Sequence, residues 1–233
     1  MADSLARHVR PHARLVLALS GGLDSVVLLH ILLGLRDQHP FELRAVHVHH
    51  GLSPRADDWA DFCARLCTPH AVELDIHRVR IARDNAAGVE AAARRERQRI
   101  FAALDADFLL TAHQQNDQAE TLLLQLLRGA GPKGLAAMAE LQRRPGWRAA
   151  QLRPLLGATR VDLLAYAQAH GLAWVDDESN QDMRYRRNAL RQQVLPLLAA
   201  HFPGSSATLA RAASLQAEAA GLLDELARLD AQD

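Results

Sequence analysis

The densest chemistry in this chain lies in seven consecutive residues, Leu19-Ser20-Gly21-Gly22-Leu23-Asp24-Ser25. They follow the apolar run LVLAL at 15–19 and open a helical pattern, so the sequence predicts a strand, a tight turn and a helix in that order. Two adjacent glycines let the backbone approach a ligand closely and adopt positive φ. The start of the helix offers N–H groups and a positive dipole end. Ser20 and Ser25 add hydroxyl groups and Asp24 a carboxylate. Together they suit a polyphosphate. Two common phosphate loops do not fit, because no lysine follows the glycines as in GxxxxGK[ST], and there is no GxGxxG.

Further candidates lie downstream. Asp117 and Glu120 are three apart on an expected helix, hence on one face. That face can bind ammonium groups, hold Mg²⁺ or deprotonate an attacking amine, or it is simply an acidic first turn favoured by the helix dipole. Arg94 and Arg97 share a helix face and can neutralise developing phosphate charge; the alternative is a solvated arginine face. His47 and His49 fall on one face of an expected strand and His50 on the other. Three histidines so close on one strand do not easily converge on one zinc ion. His49 and His50, near the strand end, are expected to line a nucleotide pocket.

These residues need a frame. Runs at 15–19, 43–48, 72–79 and 108–112 read as strands. Patterns at 25–36, 55–67, 89–104 and about 116–128 read as helices. The alternation predicts an α/β fold, a doubly wound parallel sheet covered on both faces, in which ligands bind beyond the carboxyl ends of the strands. After Gly131 the rhythm breaks. A strand near 149–153, a helix over 159–170, an irregular polar segment at 175–188 and helices at 188–200 and 205–229 are expected. The last is alanine-rich and could stand away from the main body. The chain is read as a catalytic domain over 1–203, with 204–233 a linker helix toward further C-terminal domains.

Composition bounds the reading. With 49% hydrophobic and 23% charged residues among 233, the chain resembles an ordinary globular protein, which argues against overall disorder. No apolar run is long enough for a membrane span, and the expected location is the cytoplasm. Cys63 and Cys67 are four apart on an expected helix, without a second Cys/His pair of zinc-site spacing, and read as reduced thiols on a half-buried helix. Formal net charge is zero, yet residues 128–191 carry 11 Lys+Arg against 6 Asp+Glu. Lys133 is the only lysine of the chain, so any grip on phosphates falls mainly to arginine.

SGGLDS resembles the SGGxDS loop of the N-type ATP pyrophosphatases, which split ATP into AMP and pyrophosphate to adenylate a carbonyl oxygen. Other segments are similar to one branch, the tRNA(Ile)-lysidine synthetases. These are VHVHHGL at 46–52, Gly88-Val89-Glu90 with Ala93-Arg94 and Arg97, TAHQQNDQAET at 111–121, RGAGPKGLAAM at 128–138 and RPLL at 153–156. Asp177, Ser179, Asn180, Asp182, Tyr185, Arg187, Asn188 and Arg191 complete the pattern. The matches run in order from about residue 15 to 200. Gln114 stands where the family usually has a second histidine, Asn116 where it often has an aspartate, and Gln98 where a tyrosine is common.

The resemblance implies an enzyme that uses ATP and Mg²⁺ to join L-lysine to C2 of the wobble cytidine of an isoleucine tRNA, releasing AMP and pyrophosphate. It implies catalytic roles for Asp24, Arg94, Asp117 and Glu120. Ser20, Gly21, Gly22, Asp24, Ser25, His49 and His50 would bind the nucleotide. Arg97, His113, Arg128, Lys133, Asn180, Arg187 and Asn188 would bind substrate, with Mg²⁺ near Asp24 and Asp117. The resemblance leaves room for a homodimer. The alternatives are a tRNA-thiolating enzyme of the same superfamily, for which CxxxC is a poor cysteine set, and a non-catalytic ATP-binding module.

Overall fold

A computed structural model of the chain describes residues 1–81, 88–178, 182–183 and 186–231. These residues divide into two compact units. The first comprises Met1–Ala112, Glu140–Leu155 and Val161–Asp177, and the second His113–Ala139, Leu156–Arg160 and Glu178–Asp233.

The first unit holds the sheet. Its strands are β1 (Arg14–Ala18), β2 (Glu42–His49), β3 (Glu73–Arg78), β4 (Phe108–Leu110), β5 (Leu141–Gln142) and β6 (Ala150–Leu152), in the order β3-β2-β1-β4-β6-β5. β1 pairs in parallel with β2 and with β4, and β4 with β6. The sequence reading expected a parallel sheet. The edge strand β5 is antiparallel to β6, because only seven residues join the two strands and a parallel return needs a crossover of a dozen or more.

Helices α1 (Ala2–His8), α2 (Leu23–Leu35), α3 (Ala56–Cys67), α4 (Val89–Ala103) and α7 (Arg160–Ala169) accompany the sheet, α7 with its first residue in the second unit. Side-chain alternation along the strands separates the two covered faces. Val16, Val46 and Leu109 pack with Ile100 and Phe101 of α4 in one buried cluster. Leu17, Ala45 and His47 point the other way, where Cys63 of α3 approaches His47 at 3.5 Å. Such double cover is what a chain makes when it winds from β1 to β3 and then returns to β4 on the other side of β1. The winding direction therefore reverses between β1 and β4, and the carboxyl end of β1 carries Ser20-Gly21-Gly22.

The second unit is helical: α5 (Gln115–Leu126), α6 (Pro132–Leu135), α8 (Arg186–Ala189), a π-helical turn over Leu190–Val194, α9 (Leu195–His201) and α10 (Ser205–Asp230). Pro196 lies two residues past the wide turn. A proline there cannot donate to the carbonyl four residues back and clashes with it, and the wider turn is one way a helix absorbs that mismatch. Within this unit α10 is not isolated. It packs on α5 and α6, burying Ala213 and Ala220, while Leu222, Leu223, Leu226 and Leu229 remain exposed. Its small alanines let helix backbones approach closely.

Candidate active site

The glycine turn is built as the sequence suggests, but its two glycines do different work. Gly21 has φ of 84°, a left-handed conformation that favours glycine. A Cβ on it would come 3.0 Å from Val175 Cγ2 and 3.2 Å from Cys63 Sγ. Gly21 is therefore demanded by the protein's own backbone and packing. Gly22 has an ordinary φ of −73° at the cap of α2. A Cβ there would meet Ser20 Oγ at 3.5 Å and the Val175 carbonyl at 3.9 Å, both ordinary contacts. Nothing in the packing of the described residues requires Gly22 to lack a side chain.

The two serines brace the turn. Ser25 Oγ donates to the Gly22 carbonyl at 2.9 Å and lies 3.1 Å from Ser20 Oγ, which accepts from the Gly22 N–H at 3.3 Å. Val175 N–H donates to the Gly21 carbonyl at 3.0 Å, tying residues 172–177 to the turn within the first unit. Asp24, in the first turn of α2, is half-buried.

The histidines separate. His47 is buried and donates from Nδ1 to the Leu19 carbonyl at 2.8 Å, fixing the residue that enters the turn. Burial pushes its basicity below the ordinary histidine range. His49 is also buried, with Nε2 3.3 Å from Asp57, which Arg78 also holds. His50 faces the other way. Burial first, then the positive charges of Arg97 and the neighbouring histidines, push it down to about 4, partly opposed by Asp177. His50 is therefore neutral at pH 7, with Arg97 and Asp177 within electrostatic reach. Of the two histidines expected to line a pocket, His50 stands with a charged group from the arginine helix, and His49 is held by contacts with Asp57 and Arg78. Arg94 and Arg97 are exposed. Burial pushes Cys63 up to about 12 and Cys67 up to about 11, so both remain thiols at pH 7 and neither is a poised nucleophile.

In the second unit the acidic pair is enclosed by arginines. Arg187 Nε donates to Glu120 Oε2 at 2.6 Å and its NH2 to Asp117 Oδ1 at 3.0 Å. Arg191 Nε donates to Glu120 Oε1 at 2.6 Å, with NH2 3.2 Å from Asp117 Oδ1. Glu120 is fully buried, and the Asp117 side chain is 11% exposed. Two carboxylates and two guanidinia cancel in formal charge, which makes burial tolerable. Arg191 belongs to the sequence pattern but carries no role in it. Its i, i+4 spacing from Arg187 is the signal that places both on one helix face.

Asp117 has a second duty. Its Oδ2 accepts the Gln114 N–H at 2.9 Å while Gln114 Oε1 accepts the Asn116 N–H at 2.8 Å, a reciprocal cap on α5. Gln114, the first departure from the family pattern, thus caps the helix that carries the acidic pair. Asn116, the second, accepts the Arg160 N–H through Oδ1 at 3.3 Å. Gln118 clamps the loop after α6 through both its amide atoms, at 2.7 and 2.9 Å from the Met138 backbone.

The remaining candidates are spread out. Lys133 pairs with Asp224 at 2.8 Å, Asn188 donates to the Asp182 carbonyl at 2.9 Å, Arg128 is exposed just past α5, and His113 is half-buried. Asn180 lies outside the described residues. Asp24 offers the hard oxygen that Mg²⁺ prefers beside the cradle that Gly22 leaves open. Asp117 fits a metal less well, since one oxygen holds two guanidinia and the other caps α5. Among the described residues, no three His, Cys, Asp or Glu side chains form a metal-holding cluster, and no helix is long and apolar enough to cross a membrane.

With this geometry in hand, comparison with known proteins is informative. The chain is 52% identical over 227 residues to the tRNA(Ile)-lysidine synthase of Azoarcus sp. (strain BH72), covering 97% of this chain and 50% of that relative. It is 49% identical over 231 residues to the enzyme of the same name from Nitrosomonas europaea, covering 99% of this chain and 50% of the relative. The chain thus spans about half the length of the curated relatives it matches. Among solved structures, the U34-tRNA thiolase NcsA from Methanococcus maripaludis with its [4Fe-4S] cluster superposes with a TM-score of 0.74 at 18% identity, over 91% of this chain and 74% of that one. At that identity the likeness speaks to the fold. A family model for the PP-loop domain matches residues 1–198, and with the glycine turn at the end of β1 it leads to one conclusion: the chain belongs to the PP-loop family.

Proposed function

We propose that this chain carries the ATP-dependent chemistry of lysidine formation on an isoleucine tRNA. The cytidine C2 oxygen attacks the α-phosphorus of ATP, breaking the bond to pyrophosphate. The lysine ε-amine then attacks C2, a C–N bond forms, and the C2–O bond breaks as AMP leaves. The amine sheds its protons. Adenylation is needed because a ring carbonyl oxygen is otherwise a poor leaving group.

The observation that carries this reading is the identity of about half, over nearly the whole chain, to enzymes named for that reaction. The residues support it in kind. Ser20, Gly21, Gly22 and Ser25 form the polyphosphate cradle, and Asp24 would hold Mg²⁺, which when bound supplies charge neutralisation for the leaving pyrophosphate. Arg94 and Arg97 extend positive charge from α4. Glu120, with both oxygens on guanidinia, anchors Arg187 and Arg191. Asp117 is the more accessible carboxylate, and we assign it the lysine contact or proton. A thiolating reaction is disfavoured, since both cysteines are buried neutral thiols. The reaction belongs in the cytoplasm, where ATP, lysine and tRNA are supplied together. The test is lysine- and tRNA-dependent release of AMP from ATP, with labelled lysine appearing in the tRNA.

A further inference from the structure

Three rings meet in the first unit, about two helical turns along α2 from the glycine turn. His30 comes from α2. Tyr166 and His170 come from α7 and the residue just past it, four apart and so on one face. The His30 and His170 ring centroids are 4.9 Å apart with planes tilted by 47°. Tyr166 lies 4.2 Å from His170 and 5.7 Å from His30, centroid to centroid. His30 Nδ1 is 3.0 Å from the Tyr166 hydroxyl. His30 Nε2 and the His170 ring make no hydrogen bond among the described residues. His170 is exposed and the other two are half-buried, so an ion can reach the rings from solvent.

Separation and hydrogen bonding both suit a metal ion. With bonds of about 2.0–2.1 Å to nitrogen and about 1.1 Å from nitrogen to ring centre, two imidazoles on one ion have centroids about 4.5 Å apart at a right angle and about 5.2 Å apart at the tetrahedral angle. The observed 4.9 Å falls between. A metal-bound imidazole donates its other N–H to an oxygen, which fixes tautomer and aim. Tyr166 supplies that oxygen to His30 and leaves Nε2 as the lone-pair nitrogen. Ring packing alone favours offset-parallel or perpendicular rings, and a tilt of 47° is neither. Imidazole suits Zn²⁺, Ni²⁺ or Cu²⁺, whereas Mg²⁺ prefers oxygen.

We propose that His30 Nε2 and His170 hold a divalent transition-metal ion of the Zn²⁺ class, with water completing the coordination and Tyr166 a positioning residue. Two protein ligands make an open, exchangeable site, unlike the four of a structural zinc centre. The ion clips α2 to the end of α7. Gly22 caps α2, and Val175, past His170, braces Gly21. The clip therefore ties together the two segments that flank the glycine turn. The site is independent of the proposed tRNA reaction.

The experiment measures Zn²⁺ binding to the 233-residue chain by calorimetry in excess Mg²⁺, at about pH 7.5, where free imidazoles are neutral. It compares the wild type with His30→Gln, His170→Gln, Tyr166→Phe and the control His77→Gln, which removes an exposed imidazole from β3. Thermal melting without metal checks that each variant folds; should His30→Gln melt early, His170→Gln, at an exposed ring, carries the comparison. Each of these two should weaken Zn²⁺ binding at least about tenfold, and Tyr166→Phe about tenfold, since even outer partners of a metal ligand are worth about 10–100-fold. His77→Gln should change nothing. Zn²⁺ at about a hundredfold excess over its Kd should raise the wild-type Tm by roughly 5–10 °C. No Zn²⁺ binding in excess Mg²⁺, or equal affinity in the wild type and both histidine variants, would overturn the site and leave a packed trio of rings. Full affinity in Tyr166→Phe would overturn the positioning role.

Discussion

Gly21 and Gly22 are neighbours of identical type, and the structure predicts opposite consequences for changing them. Gly21→Ala places an L-residue at φ of 84°, which costs about 1–2 kcal/mol. It also drives a methyl to 3.0 Å from Val175 Cγ2 and 3.2 Å from Cys63 Sγ, an overpacking of about 1–3 kcal/mol. The sum, about 2–5 kcal/mol, should lower Tm by roughly 4–20 °C for a chain of this size. Gly22→Ala meets nothing closer than Ser20 Oγ at 3.5 Å. Replacing a glycine cap by alanine costs about 1 kcal/mol at most here, so Tm should move by roughly 4 °C or less. ATP affinity should follow the reverse order: at least about tenfold weaker in Gly22→Ala, which is about 1.4 kcal/mol, and abolished in Gly22→Val. Thermal melting by circular dichroism and calorimetric titration with ATP and Mg²⁺ read the two quantities separately. A Gly22→Val protein with wild-type Tm and wild-type ATP affinity would reduce the loop to a mere turn and refute the reasoning.

Two further outcomes follow from the surroundings of single residues. Glu120→Gln leaves Arg187 and Arg191 without the carboxylate that balances them in a fully buried position. Denaturant unfolding should show a loss of about 3–5 kcal/mol, and a loss under about 1 kcal/mol would mean that the ion quartet does not persist in solution. His50, pushed down to about 4 from an ordinary 6.5, stays neutral in the folded chain while the unfolded chain takes up a proton. Its depressed value makes stability complete above about pH 6.5 and lost progressively as pH falls toward about 4. His50→Gln should flatten that part of the stability–pH curve, and an NMR titration of His50 near 6.5 would contradict the assignment.

The strands and the glycine turn were legible because their signals are local. An apolar run followed by two glycines and a helical pattern leaves little choice of local structure. The division of labour between Gly21 and Gly22 was not legible, since it depends on Val175 and Cys63, which are distant in sequence. The enclosure of Asp117 and Glu120 was half legible. Their shared face follows from spacing, but the arginines that meet them come from 67 to 74 positions away. The antiparallel edge β5 escaped because Leu141–Gln142 is too short to show a period. Gln114 reads in sequence as a lost histidine, and only the hydrogen bonds reveal a helix cap.

The central claim is that this chain couples ATP cleavage to lysine transfer. Incubating it with α-labelled ATP, labelled lysine and an isoleucine tRNA transcript with a CAU anticodon measures both halves at once. The account predicts AMP release that requires tRNA and lysine together with ATP, in step with acid-stable lysine on the wobble cytidine. AMP release indifferent to tRNA and lysine, with no lysine on the RNA, would contradict it.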